Sequence, residues 1–295
     1  MTTRATILLR LSPARLPLTL LTILFMGAGC LTYHAPGSFD ETQAVHYEFR
    51  KFTSPRPIRA HILRVNLAAG RVQPVVVMAP DPDGSGPANA TLTDPLELAT
   101  NRPILAFINT NPWDAIPDTD GKKNRHWYAG QPVDISGLAA SNRVIVNPAD
   151  KGSGSVWLDS KGVAHLGLLP PDADVVEGVC GFGSILKEGV VTTKPSDRLN
   201  PLTGIGLDAK GETLWLVVVD GRQSGFSEGM SNHELALFLK ELGCWNGAVM
   251  DGGGSSIMGL AGADNKLRIV NSPSDRVLGF PLIRPLPLIL TLQKK

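Results

Sequence analysis

Residues 213–256 read TLWLVVVDGRQSGFSEGMSNHELALFLKELGCWNGAVMDGGGSS. An apolar, β-branched run ends in Asp220-Gly221-Arg222, and a shorter one ends in Asp251-Gly252-Gly253-Gly254-Ser255-Ser256. Short apolar runs closed by glycine read as strands. Between them, Ser231 and Glu234 have the spacing of a capping box. In it the serine oxygen accepts from one unpaired amide and the glutamate reaches back to another, which opens a helix. Leu235, Phe238, Leu239 and Leu242 then recur at the period of one helix face, and Gly243 stands where a left-handed helix end is expected. The order is strand, loop, helix, strand, glycine loop. If the two strands are parallel neighbours joined by the helix, both aspartates emerge at one sheet edge, a common place for ligands.

Outward from this stretch the chain is punctuated by 31 glycines and 23 prolines. RAHILRVNL (59–67), VQPVVVMA (72–79), PILAFINT (103–110) and NRVIVN (142–147) read as further strands. DPDGSGPAN from Asp81 and PDTDGKKN from Pro117 read as loops, and GFGS at Gly181 and GIG at Gly204 as tight turns. TLTDPLELATN predicts a short helix from Asp94, with Pro95 at its first position. These elements predict an α+β fold: one β-rich domain over residues 50–295, with a mixed sheet and a few flanking helices.

The N-terminus carries a processing signal. Arg4, Arg10 and Arg15 precede an apolar run from Leu16 to Met26, and Gly27-Ala28-Gly29-Cys30 follows. A basic region, an apolar core too short to span a bilayer and small residues before a cleavage point describe an export signal. A cysteine directly after small residues resembles a bacterial lipobox. Cys30 is then the lipidated new N-terminus of a membrane-anchored lipoprotein, residues 1–30 its signal peptide and 31–49 a tether. A plain signal peptide cut nearby is the alternative. In an oxidising compartment Cys180 and Cys244 either pair or stay as buried thiols.

Net charge is +1, with 19% charged residues and no basic run, which excludes a nucleic-acid footprint. The six histidines do not cluster in sequence, the three cysteines lack a zinc spacing, and DPDGSG lacks the closing glutamate of a calcium loop. No metal or cofactor is expected. His233, in the first turn of the helix, reads as an exposed polar residue.

The paired Asp-Gly ends carry the chemistry. Successive glycine amides can form an anion nest, Ser255 and Ser256 add hydroxyls, and Arg222 offers a planar fork for a phosphate. Two carboxylates beside such a cradle suit hydrolysis at a sugar carbon. Structural Asp-Gly turns in a βαβ unit are the other reading of the same pattern.

The stretch also resembles the signature of the phosphodiester glycosidase family: a strand ending in Asp-Gly-Arg, a Glu-Leu-Ala helix ending in Leu-Gly, then Asp-Gly-Gly-Gly-Ser-Ser. Asn271-Ser272-Pro273-Ser274-Asp275-Arg276 is similar to that family's closing segment, and Phe107-Ile108-Asn109 stands where it has a strand ending in asparagine. The chain departs from the pattern at Thr110-Asn111-Pro112-Trp113-Asp114 and at Leu202, where arginine is expected.

The resemblance implies hydrolysis of a sugar-1-phosphodiester, such as an N-acetylglucosamine-1-phosphodiester, to free sugar and a phosphomonoester in envelope or extracellular glycans. It makes Asp251 and Asp220 the catalytic carboxylates, with Glu228 and Asp114 in reserve. Gly252, Gly253, Gly254, Ser255, Ser256, Arg222 and Arg276 would hold phosphate, and Asn109 would orient the sugar. Trp113, Trp127 and Tyr128 either stack on a sugar ring or serve the core. An idle carbohydrate- or phosphate-binding lipoprotein and an accessory protein of exopolysaccharide export are the alternatives.

Overall fold

The computed structural model describes residues 31–33 as backbone and residues 44–124, 126–149, 152 and 154–295 in full. The export signal and Cys30 lie outside the described residues. Of the span 31–49, read as a tether, Leu31–Tyr33 and the start of Val45–Phe52 are strands.

The protein is nearly all β, not clearly α+β: beside their strands the described residues form two α-helices, α1 (Pro95–Leu98) and α2 (Asn232–Glu241). The largest sheet orders its eight strands as Leu31–Tyr33, Val45–Phe52, Ile58–Asn66, Thr213–Val219, Leu202–Leu207, Asn246–Val249, Gly183–Lys187 and Val190–Val191. Every pairing in it is antiparallel, so the expected mixed sheet is not formed. Two five-stranded sheets accompany it. One contains Ile104–Asn109 between Met258–Ala261 and Leu288–Lys294, and the other contains Glu177–Cys180.

The run TLWLVVV does not alternate apolar with polar because both faces of its strand are covered. Leu214, Leu216 and Val218 join the main core together with Ile108 and Leu290 of the neighbouring sheet. Trp215, Val217 and Val219 face a second core against α2. Burial of Leu235, Phe238 and Leu239 from that helix contributes roughly 5–9 kcal/mol. The capping box forms, with the Ser231 hydroxyl accepting from the Glu234 amide and the Glu234 carboxylate from the Ser231 amide, and adds about 1 kcal/mol.

Thr213–Val219 and Asn246–Val249 are not neighbours, as the sequence reading required. Leu202–Leu207 lies between them, antiparallel to both, with Leu202 opposite Val219 and Gly204 opposite Val249. One intervening antiparallel strand restores a common direction to the outer two, so Asp220 and Asp251 still leave the sheet at the same edge. Gly204 and Gly206 belong to that middle strand rather than to a turn. A Cβ at Gly206 would stand 2.3 Å from the Cys244 sulfur, and one at Gly204 would stand 3.2 Å from Leu235. The two glycines let α2 lie against the sheet. Gly183 likewise opens a strand. Cys180 and Cys244 are buried and are not disulfide-bonded, and burial pushes the Cys244 thiol well above its ordinary range.

Candidate active site

A cleft of about 680 Å³ opens at the edge where Asp220 and Asp251 emerge. Its wall includes Met250, Asp251, Gly252, Gly253 and Gly254 from the glycine loop, Asn200, Pro201 and Leu202 from the segment entering the middle strand, and Arg222. Lys194, Arg198, His233 and Arg284 add charged and titratable groups, and Thr193, Ser196 and Asn232 neutral polar ones. Asp251 is the one carboxylate among these residues.

Asp251 is half-buried, and its carboxylate accepts a hydrogen bond from the Gly252 amide at 2.9 Å. Its backbone is fixed from below, because its amide donates to the Thr110 carbonyl at 2.7 Å and its carbonyl accepts from the Asn109 side chain at 2.7 Å. Burial raises its pKa above the ordinary carboxylate value, and the Ser255 hydroxyl, the Arg284 charge and the Gly252 amide oppose that rise without cancelling it. The environment therefore favours a neutral, proton-bearing Asp251, as a general acid requires.

Asp220 has the opposite surroundings and does not line the cleft. It is 2% exposed. One carboxylate oxygen accepts from the Ser272 amide at 2.7 Å and the Asn271 side chain at 3.3 Å. The other lies 3.5 Å from Nε2 of His61, whose Nδ1 is 2.8 Å from the Tyr47 hydroxyl. Burial and the Asp220 charge raise the Tyr47 pKa, so its hydroxyl stays protonated beside the His61 ring. Asn271 extends the network, donating to the Ser256 carbonyl and accepting from the Met258 amide. Asp220 thereby fixes the 271–272 segment against the glycine loop.

The glycines play a different part from the expected nest. The Gly252 amide is taken by Asp251, the Gly253 amide by Pro201, and those of Ser255 and Ser256 by the short 3₁₀ turn. The Gly254 amide donates to no described group. Side-chain room is the stronger constraint. A Cβ would fall 3.0 Å from the Arg222 guanidinium at Gly253, whose φ is +63°, and 2.2 Å from the Asp275 carboxylate at Gly254. The missing side chains admit two arginines to the loop.

The structure does not bring the other expected ligands into the cleft. Asn109 is buried, with its oxygen accepting from Thr203 at 2.6 Å and the Ile257 amide at 3.0 Å. Ser255 and Ser256 are buried behind the glycines. Arg276 points its guanidinium at Gln223, Ser272 and the Gly279 carbonyl. Glu228 and Asp114 do not line the cleft, and Asp114 pairs with Lys123.

Two residues were missed. Arg284 lines the cleft, forks onto Asp275 at 2.7 and 3.0 Å, reaches the Ser255 hydroxyl at 3.3 Å and lies 5.2 Å above the Trp127 ring. Its sequence context, Ile283-Arg284-Pro285, carries no motif. His233 lies in the cleft with Nδ1 2.8 Å from the Thr193 carbonyl, which can only accept, so Nδ1 holds a proton and Nε2 is left for a ligand. Its place beside the capping serine gave the only signal.

The sequence profile of the phosphodiester glycosidase family matches residues 118–290, more than half of the chain. The chain belongs to the phosphodiester glycosidase family. The match takes in Asp220, Arg222, His233, Asp251 and Arg284. The catalytic domain of zebrafish N-acetylglucosamine-1-phosphodiester alpha-N-acetylglucosaminidase, auto-inhibited by its pro-peptide, has the same fold at TM-score 0.62 and 20% identity, over 91% of this chain and 89% of that one. A hypothetical protein from Synechocystis superposes at TM-score 0.58 and 12% identity, over 90% of this chain and 64% of its own length. No curated protein matches the chain significantly. A second hollow of about 700 Å³ bears the carboxylates of Asp159, Glu177 and Glu212, the first two held by backbone amides, but neither Asp-Gly strand end reaches it, so the Asp251 cleft is the candidate site of this phosphodiester glycosidase family member.

Proposed function

We propose that the protein hydrolyses a sugar-1-phosphodiester of the N-acetylglucosamine-1-phosphodiester type, releasing free sugar and a phosphomonoester. The observation that carries this reading is a raised-pKa carboxylate, Asp251, in a cleft whose other charged lining residues are Lys194, Arg198, Arg222 and Arg284. Arg222 and Arg284 would hold the phosphate, with Arg222 exposed on the cleft wall and Arg284 fixed by Asp275 and Ser255. Asp251 would donate a proton to the phosphate oxygen as the bond to the sugar carbon breaks. Nε2 of His233 is the acceptor for the proton of the attacking water. Water supplies hydroxide to the sugar carbon and its proton restores the balance. Asp220, which the sequence offered as the second carboxylate, is assigned the positioning of the 271–272 segment. The protein would act in envelope or extracellular glycans after export, anchored by lipid at Cys30.

A binding lipoprotein without turnover is the second reading. It is favoured by the lack of a second carboxylate among the described cleft residues, since glycosidases ordinarily use a pair. Hydrolysis of methylumbelliferyl and N-acetylglucosamine phosphodiesters separates the two. Turnover that Asp251→Asn removes while the protein stays folded supports the hydrolase. Saturable binding with no product from any ester establishes the binding module.

A further inference from the structure

We infer that the substrate carries a second anionic group besides its phosphodiester, and that Lys194 and Arg198 select for it. The inference rests on the hydrolase reading above and goes on to the substrate's charge. Lys194, Arg198, Arg222 and Arg284 line the cleft against the single carboxylate of Asp251. Asp275 balances Arg284 at 2.7 Å. The other three cations make no ion pair with a described residue, and Arg222 meets only the neutral side-chain oxygen of Asn200 at 3.0 Å.

The count then leaves a remainder. A phosphodiester is a monoanion, and seated at Arg222 it answers one of the three. Even an ionised Asp251 would answer only one more. At least one positive charge stays unmatched on the segment between Val191 and Leu202. Asp197 lies between them in sequence but does not line the cleft. Beside them the Thr193 hydroxyl is buried, faces no described partner and belongs to the cleft wall, a donor left over for an oxygen-rich ligand. The whole chain has a net charge of only +1, so this concentration is local. Lys194 and Arg198 are exposed, which limits their selection to severalfold and makes it dependent on salt.

The test uses the full chain and three sugar-1-phosphodiesters. One has a neutral sugar and aglycone, one a phosphate on the aglycone, and one a carboxylate on the sugar. At low salt kcat/KM is expected to be at least about fivefold higher for a charged ester than for the neutral one. The advantage should shrink toward one in about 0.5 M salt and in Lys194→Gln/Arg198→Gln. The ester that gains more shows which of these two charged substrates the cations favour. Equal or lower kcat/KM for both charged esters, or an advantage that the double variant keeps, overturns the inference. If no ester turns over, the hydrolase reading falls separately. Calorimetry of the Asp251→Asn chain with the intact esters then decides. Tighter binding of a charged ester that is lost with Lys194 and Arg198 supports the charge selection, and equal binding ends it.

Discussion

Asp220 and Asp251 end parallel strands at one sheet edge, each is followed by glycine, and their environments are opposite. Asp220 lies behind the edge, its carboxylate met by an amide, an asparagine and a histidine. Asp251 stands at the cleft with one backbone donor and a raised pKa. A carboxylate surrounded by donors stabilises its neighbourhood and has little left to offer a substrate. One held by burial with few donors costs stability and retains a transferable proton. The same dipeptide serves both purposes, and what surrounds it decides which.

The largest expected effect tests the Asp251 half of this contrast. Asp251→Asn should lower kcat by roughly 10²–10⁴-fold, the usual contribution of a general acid. It should also leave the melting temperature unchanged or higher at neutral pH. The sign follows from the raised pKa. The folded protein pays for the ionised group above the unfolded carboxylate pKa of about 4, and below that pH both forms are neutral and the gain disappears. Accordingly the wild-type kcat/KM should fall as pH rises through the raised pKa. A variant that melts lower at neutral pH than the wild type would make Asp251 a structural residue like Asp220.

Asp220→Ala comes next. It strands the Ser272 amide and the Asn271 side chain in a buried site and should cost roughly 2–5 kcal/mol in denaturant unfolding. The fraction that stays folded should keep a near-normal KM. Loss of turnover at unchanged stability would instead return Asp220 to the chemistry. A smaller effect is expected at the arginines. Arg284→Gln removes a charged donor from the cleft and should raise KM about tenfold. Arg276→Gln, outside the cleft, should change KM by less than about twofold, and a tenfold rise there would show that the segment it belongs to closes over substrate.

What the sequence made legible was local. The capping box of α2, the Asp94-Pro95 start of α1 and the β-branched runs are fixed by neighbours a few residues away, and they lie where the pattern placed them. The separation of the two outer strands was not legible, because Leu202–Leu207 precedes both in the chain and its two glycines imitate a turn. The burial of Asp220 depends on Tyr47 and His61, more than 150 residues upstream, and no spacing rule reaches that far. Asn109 looked like a ligand because it ends a strand near the site. It proves to be a staple between Asp251, Thr203 and Ile257. Arg284 left no mark in the pattern, since its importance comes from Asp275 and from the space that Gly254 leaves open.

The strand Leu288–Lys294 has a consequence for the order of assembly. It is an interior strand, bonded on one side to Ile104–Asn109 and on the other to Val72–Met78. Ile104–Asn109 carries at its end the asparagine that holds the Asp251 backbone. These contacts join residues about 180 to 220 positions apart, and such non-local closure is slow. A nascent chain that stops short of residue 288 lacks the strand that joins the two, and Val72–Met78 has no partner in that sheet. The cleft should therefore appear late, in one step, once the last strand has threaded between its neighbours.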